Sequence, residues 1–352
     1  MKLFVFALLF VLTATSRAGA EDAVAQLTFH VTDDFGNAVP GAPVWMSTAV
    51  GWRPGGTEYG HSELRKANGL TDTNGLVTLK LLCKTGEIRY SVFVPPADRL
   101  SEKTMPIGQQ AYYIDLGGEQ RFTNVVDSWW QPWNPMVDIE LKKVLNPIPM
   151  YTKRVEFSGD NNIPAQDEPV GFDLLRGDWV APHGKGEIPD IVFALHREPE
   201  QKAMRYWGTQ PRPYTLYDVT LSLGFSNNGD GIQSVFVAPG MASALRTLRY
   251  APATGYLTNL VKHVRNTEDS VPQSDKREDQ NYFFRVRTQT NDDGSIVSAL
   301  YGKISGDVDV APGGRIRFTY YLNPTPNDRN MEFDPSKNLF TNLSPSEQVR
   351  EP

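Results

Sequence analysis

The sequence predicts an all-β protein made of two antiparallel β-sandwich domains with little helix. Three observations point there. Short runs rich in Val, Ile, Thr, Tyr and Phe recur along the chain, clusters of Gly, Pro, Asn and Asp separate them, and several runs alternate apolar with polar residues. Ile139 and Leu141 alternate with Asp138 and Glu140, and Ile316, Phe318, Tyr320 and Leu322 alternate with Arg315, Arg317, Thr319 and Tyr321, as in half-buried antiparallel strands. Strands do not alternate with helices, which disfavours a parallel nucleotide-binding sheet.

Taken in order, residues 1–20 read as a signal peptide. Lys2 precedes an apolar run from Leu3 to Leu12, and Ala18 and Ala20 form the small-x-small site that signal peptidase reads. The run is too short to span a bilayer, which takes about 20 residues, and no later stretch reaches that length, so no membrane span is expected. The chain carries a net charge of −6, with 35 Lys and Arg against 41 Asp and Glu, and cleavage would remove Lys2 and Arg17. An acidic balance gathers neither nucleic acid nor anionic lipid, so a polynucleotide partner is not expected. Cys83 is the only cysteine, too few for an internal disulfide and too late in the chain for a lipid anchor. This usage suits a bacterial exported protein, in the periplasm or outside the cell. Within its β-like run, Cys83 reads as a buried thiol.

The predicted strands are Val24 to Val31, Gly75 to Leu82, Ile88 to Val94, Val137 to Val144, Leu216 to Phe225, Tyr282 to Thr288, Ile296 to Ile304 and Arg315 to Leu322. Glu198 to Tyr206, with Pro199 suited to a first turn, and Met241 to Leu248 are the helix candidates. Residues 21–145 form a first sandwich. Residues 146–168, with Pro147, Pro149, Pro164 and several Gly, Asp and Asn, form either a linker or the first strand of a second domain. Residues 169–340 form a jelly-roll-like sandwich, by analogy of fold alone, and 341–352 a flexible tail.

Asp33-Asp34-Phe35-Gly36-Asn37-Ala38-Val39-Pro40-Gly41-Ala42-Pro43-Val44, then Thr71-Asp72-Thr73-Asn74-Gly75 and Tyr90-Ser91-Val92-Phe93-Val94-Pro95-Pro96, resembles the carboxypeptidase regulatory-like domains of bacterial exported proteins. These are transthyretin-like sandwiches close to Ig-like modules. The matching residues are turn chemistry, and the resemblance, over about residues 24 to 100, implies an accessory sandwich without catalysis. The segment Trp45 to Asn68 is longer than the usual strand-to-strand link and reads as a candidate functional loop.

No nucleophile elbow, zinc-protease helix, Cys-x-x-Cys pair, phosphate loop or dinucleotide fingerprint occurs, and the five histidines show no ligand spacing. No catalytic residue, metal or cofactor is assigned. The weak calcium candidates are Asn228 and Asp230 in Ser226–Gly231, where the loop lacks the Glu expected at its twelfth position, and Asp292 and Asp293 in a hairpin-like turn. Aromatic residues are the stronger signal. Trp129, Trp130 and Trp133 place three of the seven tryptophans within five residues, and Trp179, Tyr206 and Trp207 sit in Gly- or Pro-rich segments. Exposed indoles stack on sugar rings, but the same side chains bury well at a domain seam.

The expected function is therefore non-catalytic binding or scaffolding at the bacterial envelope or outside, with a glycan or an envelope protein as partner. Two alternatives stand beside it. One is a hydrolase of glycans or peptides using Asp173, Asp178, Asp230 or Asp307, which would have to face one another across a cleft. The other is a structural component assembling through sheet edges.

Overall fold

A computed structural model describes residues 23–53, 61–92, 118–156, 163–207, 209–237, 245–268 and 272–352. Every regular element among them is a strand. The residues fall into two compact units, the first drawn from positions up to Ile139 and the second chiefly Glu140–Pro352.

The first unit contains β1 (Ala23–Asp33), β2 (Pro43–Arg53), β3 (His61–Leu70), β4 (Leu76–Cys83), β5 (Glu87–Val92), β6 (Glu119–Arg121), β7 (Asn124–Val126), β8 (Trp129–Gln131) and β9 (Met136–Leu141). One sheet runs β4-β1-β8-β7, with β9 also paired to β1, and the other runs β3-β2-β5-β6. Strand β1 shows why the sequence folds this way. Ala23, Ala25, Leu27, Phe29 and Val31 are all buried to 1% exposure or less, whereas the residues between them are half-exposed, the period-two pattern of a strand with one face inside. Asp33 and Asp72 each build a tight turn. Their Oδ1 atoms accept two backbone N–H bonds, from Phe35 and Asn37 and from Asn74 and Leu76, while Gly36 and Gly75 take φ of 81° and 73°. Gly75 leaves no alternative, because a Cβ there would lie 2.3 Å from the Val31 carbonyl oxygen. Cys83 is fully buried, with Sγ 3.2 Å from Thr48 Oγ1. The long segment after Trp45 is a hairpin of β2 on β3, in register from Pro43↔Leu70 to Arg53↔His61, and only residues 54–60 of it lie outside the described residues.

The second unit contains β10 (Ile148–Glu156), β11 (Val170–Asp173), β12 (Asp178–Trp179), β13 (Ile191–Arg197), β14 (Gln201–Trp207), β15 (Gln210–Gly224), β16 (Gly231–Phe236), β17 (Asn259–Asn266), β18 (Gln273–Ser274), β19 (Gln280–Thr290), β20 (Ile296–Val310), β21 (Ile316–Asn323) and β22 (Phe333–Asn338). One sheet runs β16-β19-β20-β21-β10-β22 and the other β12-β11-β13-β15-β17-β18, with β14 on β15. The segment after the Asn146–Pro149 connector is thus a sheet strand. Strands β19, β20 and β21 are a meander closed by tight turns at Asn291–Ser295 and Ala311–Arg315, in place of the sheet-switching order of a jelly roll. A large core draws Phe172, Phe193, Leu221 and Leu223 from one sheet and Tyr282, Phe284, Phe318 and Tyr320 from the other.

The opposite face of the β19-β20-β21 meander is also covered. Phe283, Tyr301 and Tyr321 pack there against Met331, Phe333 and Val349. The last residues are therefore docked and do not form the loose tail expected from their composition. Val349 is buried, and the Glu351 and Pro352 carbonyl oxygens accept from Tyr321 Oη and Lys303 Nζ. The helix expected over Glu198 to Tyr206 is also absent. Its residues pair with β15 from Gln201↔Leu216 to Trp207↔Gln210, so long-range pairing overrides the helix-forming Gln, Lys, Ala and Met. In the second candidate helix, Met241 to Ala244 lie outside the described residues, and Leu245–Leu248 are not helical.

Candidate functional site

The tryptophan cluster lies on the β7–β8 hairpin of the first unit. Asp127 and Ser128 make a two-residue turn with φ of 49° and 66°, the left-handed pair that matches the twist of a hairpin. Successive residues of a strand point to opposite faces, so neighbouring tryptophans separate in role. Trp130 turns inward: it is 9% exposed, its Nε1 donates to the Cys83 carbonyl oxygen at 2.8 Å, and its ring lies 6.3 Å from that of Phe122. Gly86 is required beneath it, because a Cβ there would stand 2.8 Å from the indole.

Trp129 turns outward, 37% exposed, and Trp133, beyond the cis Gln131–Pro132 bond, is 40% exposed. Their rings meet edge-to-face with centroids 4.2 Å apart, and Lys80 Nζ lies 5.7 Å from the Trp129 centroid. Cross-strand register places Leu82, Val24, Trp129 and Val126 in one row of the outer sheet face, with Lys80 and Gln26 in the next and Thr78 and Thr28 in the one after. Thr28 Oγ1 bonds Thr78 Oγ1 and donates to Asn134 Oδ1, and Gln26 Oε1 is buried without a hydrogen-bond partner. The face thus grades from apolar rings to polar groups over a few residues.

The other sequence candidates lie in the second unit. Trp179 is 7% exposed and packs edge-on to Phe172 and Phe193, so it belongs to the core, though part of it reaches a cavity described below. Tyr206 and Trp207 lie at the turn end of β14, cross-strand from Pro211 and Gln210, and their side chains fall outside the described residues. The calcium candidates serve turns. Asp230 accepts from the Arg287 and Thr288 backbone N–H groups, and Asp293 accepts from the Ser295 N–H beside the exposed Asp292 in the β19–β20 turn. Asn228 is exposed in the turn before Gly229. Among the described residues, no group of three or more His, Cys, Asp or Glu side chains could hold a metal ion. No helix among them is long and apolar enough to cross a membrane.

The candidate acids do not converge on a cleft. Asp173 and Asp230 join a buried network that sequence reading missed, centred on Arg287. The guanidinium bonds Asp190 through Nε and a terminal nitrogen at 2.8 and 2.9 Å, and bonds Asp173 at 2.9 Å. Burial pushes the Asp190 carboxyl up despite this partner. Burial raises Asp173 as well, but the backbone N–H groups of Glu187, Ile188 and Arg176, together with the Arg287 charge, outweigh it and hold the carboxyl below its ordinary value. Asp307 is buried elsewhere, bonded to Lys262 Nζ at 2.8 Å and accepting from Tyr282 Oη at 2.5 Å. Asp178 accepts from the Trp179 and Lys185 backbone N–H groups. No family model matches the chain, and no curated protein matches it.

Proposed function

We propose that this is an exported, non-catalytic binding protein of the bacterial envelope or exterior, and that the outer face carrying Trp129 and Trp133 holds a glycan. The observation that carries this reading is the division of labour on one hairpin: Trp130 is spent as an anchor while two indoles beside it stay exposed and in contact. Leaving two large aromatic rings in water at the tip of a rigid turn is unfavourable by about 25 cal/mol per Å² of apolar surface, which a stacked pyranose would recover. Lys80, Thr28, Thr78 and Asn134 supply hydroxyl partners beside the rings. The resemblance of the first unit to accessory sandwiches of exported proteins supports the same reading.

Intrinsic fluorescence titrated with soluble polysaccharides tests it. Saturable change with one of them, lost in Trp129→Ala and in Trp133→Ala while both variants keep the far-ultraviolet spectrum of the parent, is the expected result. If every polysaccharide leaves the emission unmoved, the platform does not bind glycan.

A further inference from the structure

We propose that the second unit holds its own binding site for a single polyhydroxylated ring bearing an amine, in the cavity between the edges of its two sheets. The cavity measures about 220 Å³ and is lined by Lys153, Val155 and Glu156 of β10, Phe172 and Trp179 of the facing sheet, Gly177, Asp178 and Glu347. It is smaller than the roughly 300–1,000 Å³ of drug-sized pockets, which leaves room for one ring.

Its walls are built by distant parts of the chain. Trp179 is fixed by the loop that follows it: a Cβ at Gly184 would lie 2.5 Å from the Trp179 carbonyl oxygen and 2.6 Å from Asp178 Oδ1, and a Cβ at Gly186 would lie 2.8 Å from the Trp179 carbonyl oxygen. The glycines therefore let the loop fold back against the strand that presents Trp179 and Asp178. Lys153 Nζ ties the opposite wall together, donating to the Gly177 carbonyl oxygen at 2.8 Å and pairing with Glu347 Oε1 at 3.0 Å. Glu347 is itself held by the Ser344 hydroxyl and by an Arg154 N–H bond to its carbonyl oxygen, so the docked C-terminal residues complete the site.

The ligand class follows from these groups. An aromatic wall with hydrogen-bonding groups of both signs suits hydroxyls, which donate to carboxylates and accept from an ammonium. The lining carries three carboxylates, Glu156, Asp178 and Glu347; Lys153 pairs with Glu347 and Arg317 lies 3.5 Å from Glu156, so one negative charge, that of Asp178, is left over. That surplus favours an aminated ring over a neutral one and disfavours a uronate.

This site is built from second-unit residues alone and is tested separately from the Trp129–Trp133 face. The full chain labelled with 5-fluorotryptophan gives resolved ¹⁹F resonances, of which Trp179 is assigned by its loss in Trp179→Phe. Glucosamine, methyl glucoside and glucuronate are the probes. The expected result is a saturable shift of the Trp179 resonance with glucosamine, a weaker one with methyl glucoside and none with glucuronate. Glu156→Gln, at a partly exposed position, and Asp178→Asn should each weaken glucosamine binding about tenfold with the other resonances in place. A Trp179 resonance unmoved by all three probes overturns the proposal, and so does a shift equal for glucosamine and glucuronate. Movement of Trp129 or Trp133 alone supports the first-unit reading and overturns this one.

Discussion

Lys303 is a fully buried lysine whose removal should stabilise the protein. It lies on β20 in the core beneath the C-terminal residues, 2% exposed, with Nζ 4.5 Å from the Tyr321 ring centroid and bonded to the Met331 and Pro352 carbonyl oxygens at 2.9 and 3.3 Å. Burial pushes its ammonium down from the ordinary 10.5 to about 7. Each unit corresponds to about 1.4 kcal/mol, so keeping lysine there costs on the order of 5 kcal/mol at neutral pH. Lys303→Met removes that cost and leaves two carbonyl acceptors unpaired at about 1 kcal/mol each, for a net gain of roughly 2–3 kcal/mol at pH 7. The pH dependence carries a definite sign. Between pH 7 and 10.5 the unfolded lysine binds a proton that the folded one does not, so parent stability rises with pH across that window. The variant lacks this rise, and its advantage should shrink and then reverse by pH 10. Urea midpoints followed through the Trp179 resonance at pH 7 and pH 9.5 measure both. A variant less stable than the parent at pH 7, or a difference independent of pH, would show that burial does not hold the Lys303 ammonium down.

Three further outcomes follow from packing and charge. Arg287→Met should destabilise the second unit by about 3–5 kcal/mol, because Asp173 and Asp190 lose their shared counter-ion. The loss should ease as pH falls and the raised Asp190 carboxyl takes a proton, so melting temperatures of parent and variant at pH 5 and pH 7 should converge toward the lower value; equal losses at both would count against it. Trp130→Ala should cost about 3–5 kcal/mol and strip the outer face of its support, read as unfolding at lower urea together with loss of any glycan response. Gly86→Ala, at φ +68° and 2.8 Å from the Trp130 ring, should cost at least about 1 kcal/mol by the same assay.

Much of the β architecture was legible because period-two burial is written locally. The eight predicted runs all overlap strands, and the Asp-x-x-Gly turns close as their chemistry requires. Features set by distant pairing were not. Residues 201–207 look helical in isolation, and only the partner segment 210–216 makes them a hairpin. The outward turn of Trp129 and the inward turn of Trp130 follow from the parallel pairing of Val24 with Trp129, which no local pattern discloses. Arg287 meets Asp173 and Asp190 across more than ninety residues of chain, and Asp190 carries no spacing signal at all. Lys303 sits in a predicted strand, Ile296 to Ile304, with no local sign of its burial, and it is enclosed because the last residues cover the outer face of its sheet.

Whether Trp129 and Trp133 form a glycan platform is decided by acrylamide quenching of parent, Trp129→Ala and Trp133→Ala proteins, with and without each soluble polysaccharide of a panel. The free parent should show accessible indoles that one polysaccharide protects saturably, and neither variant should show such protection. Accessible indoles that no polysaccharide protects would contradict a glycan platform.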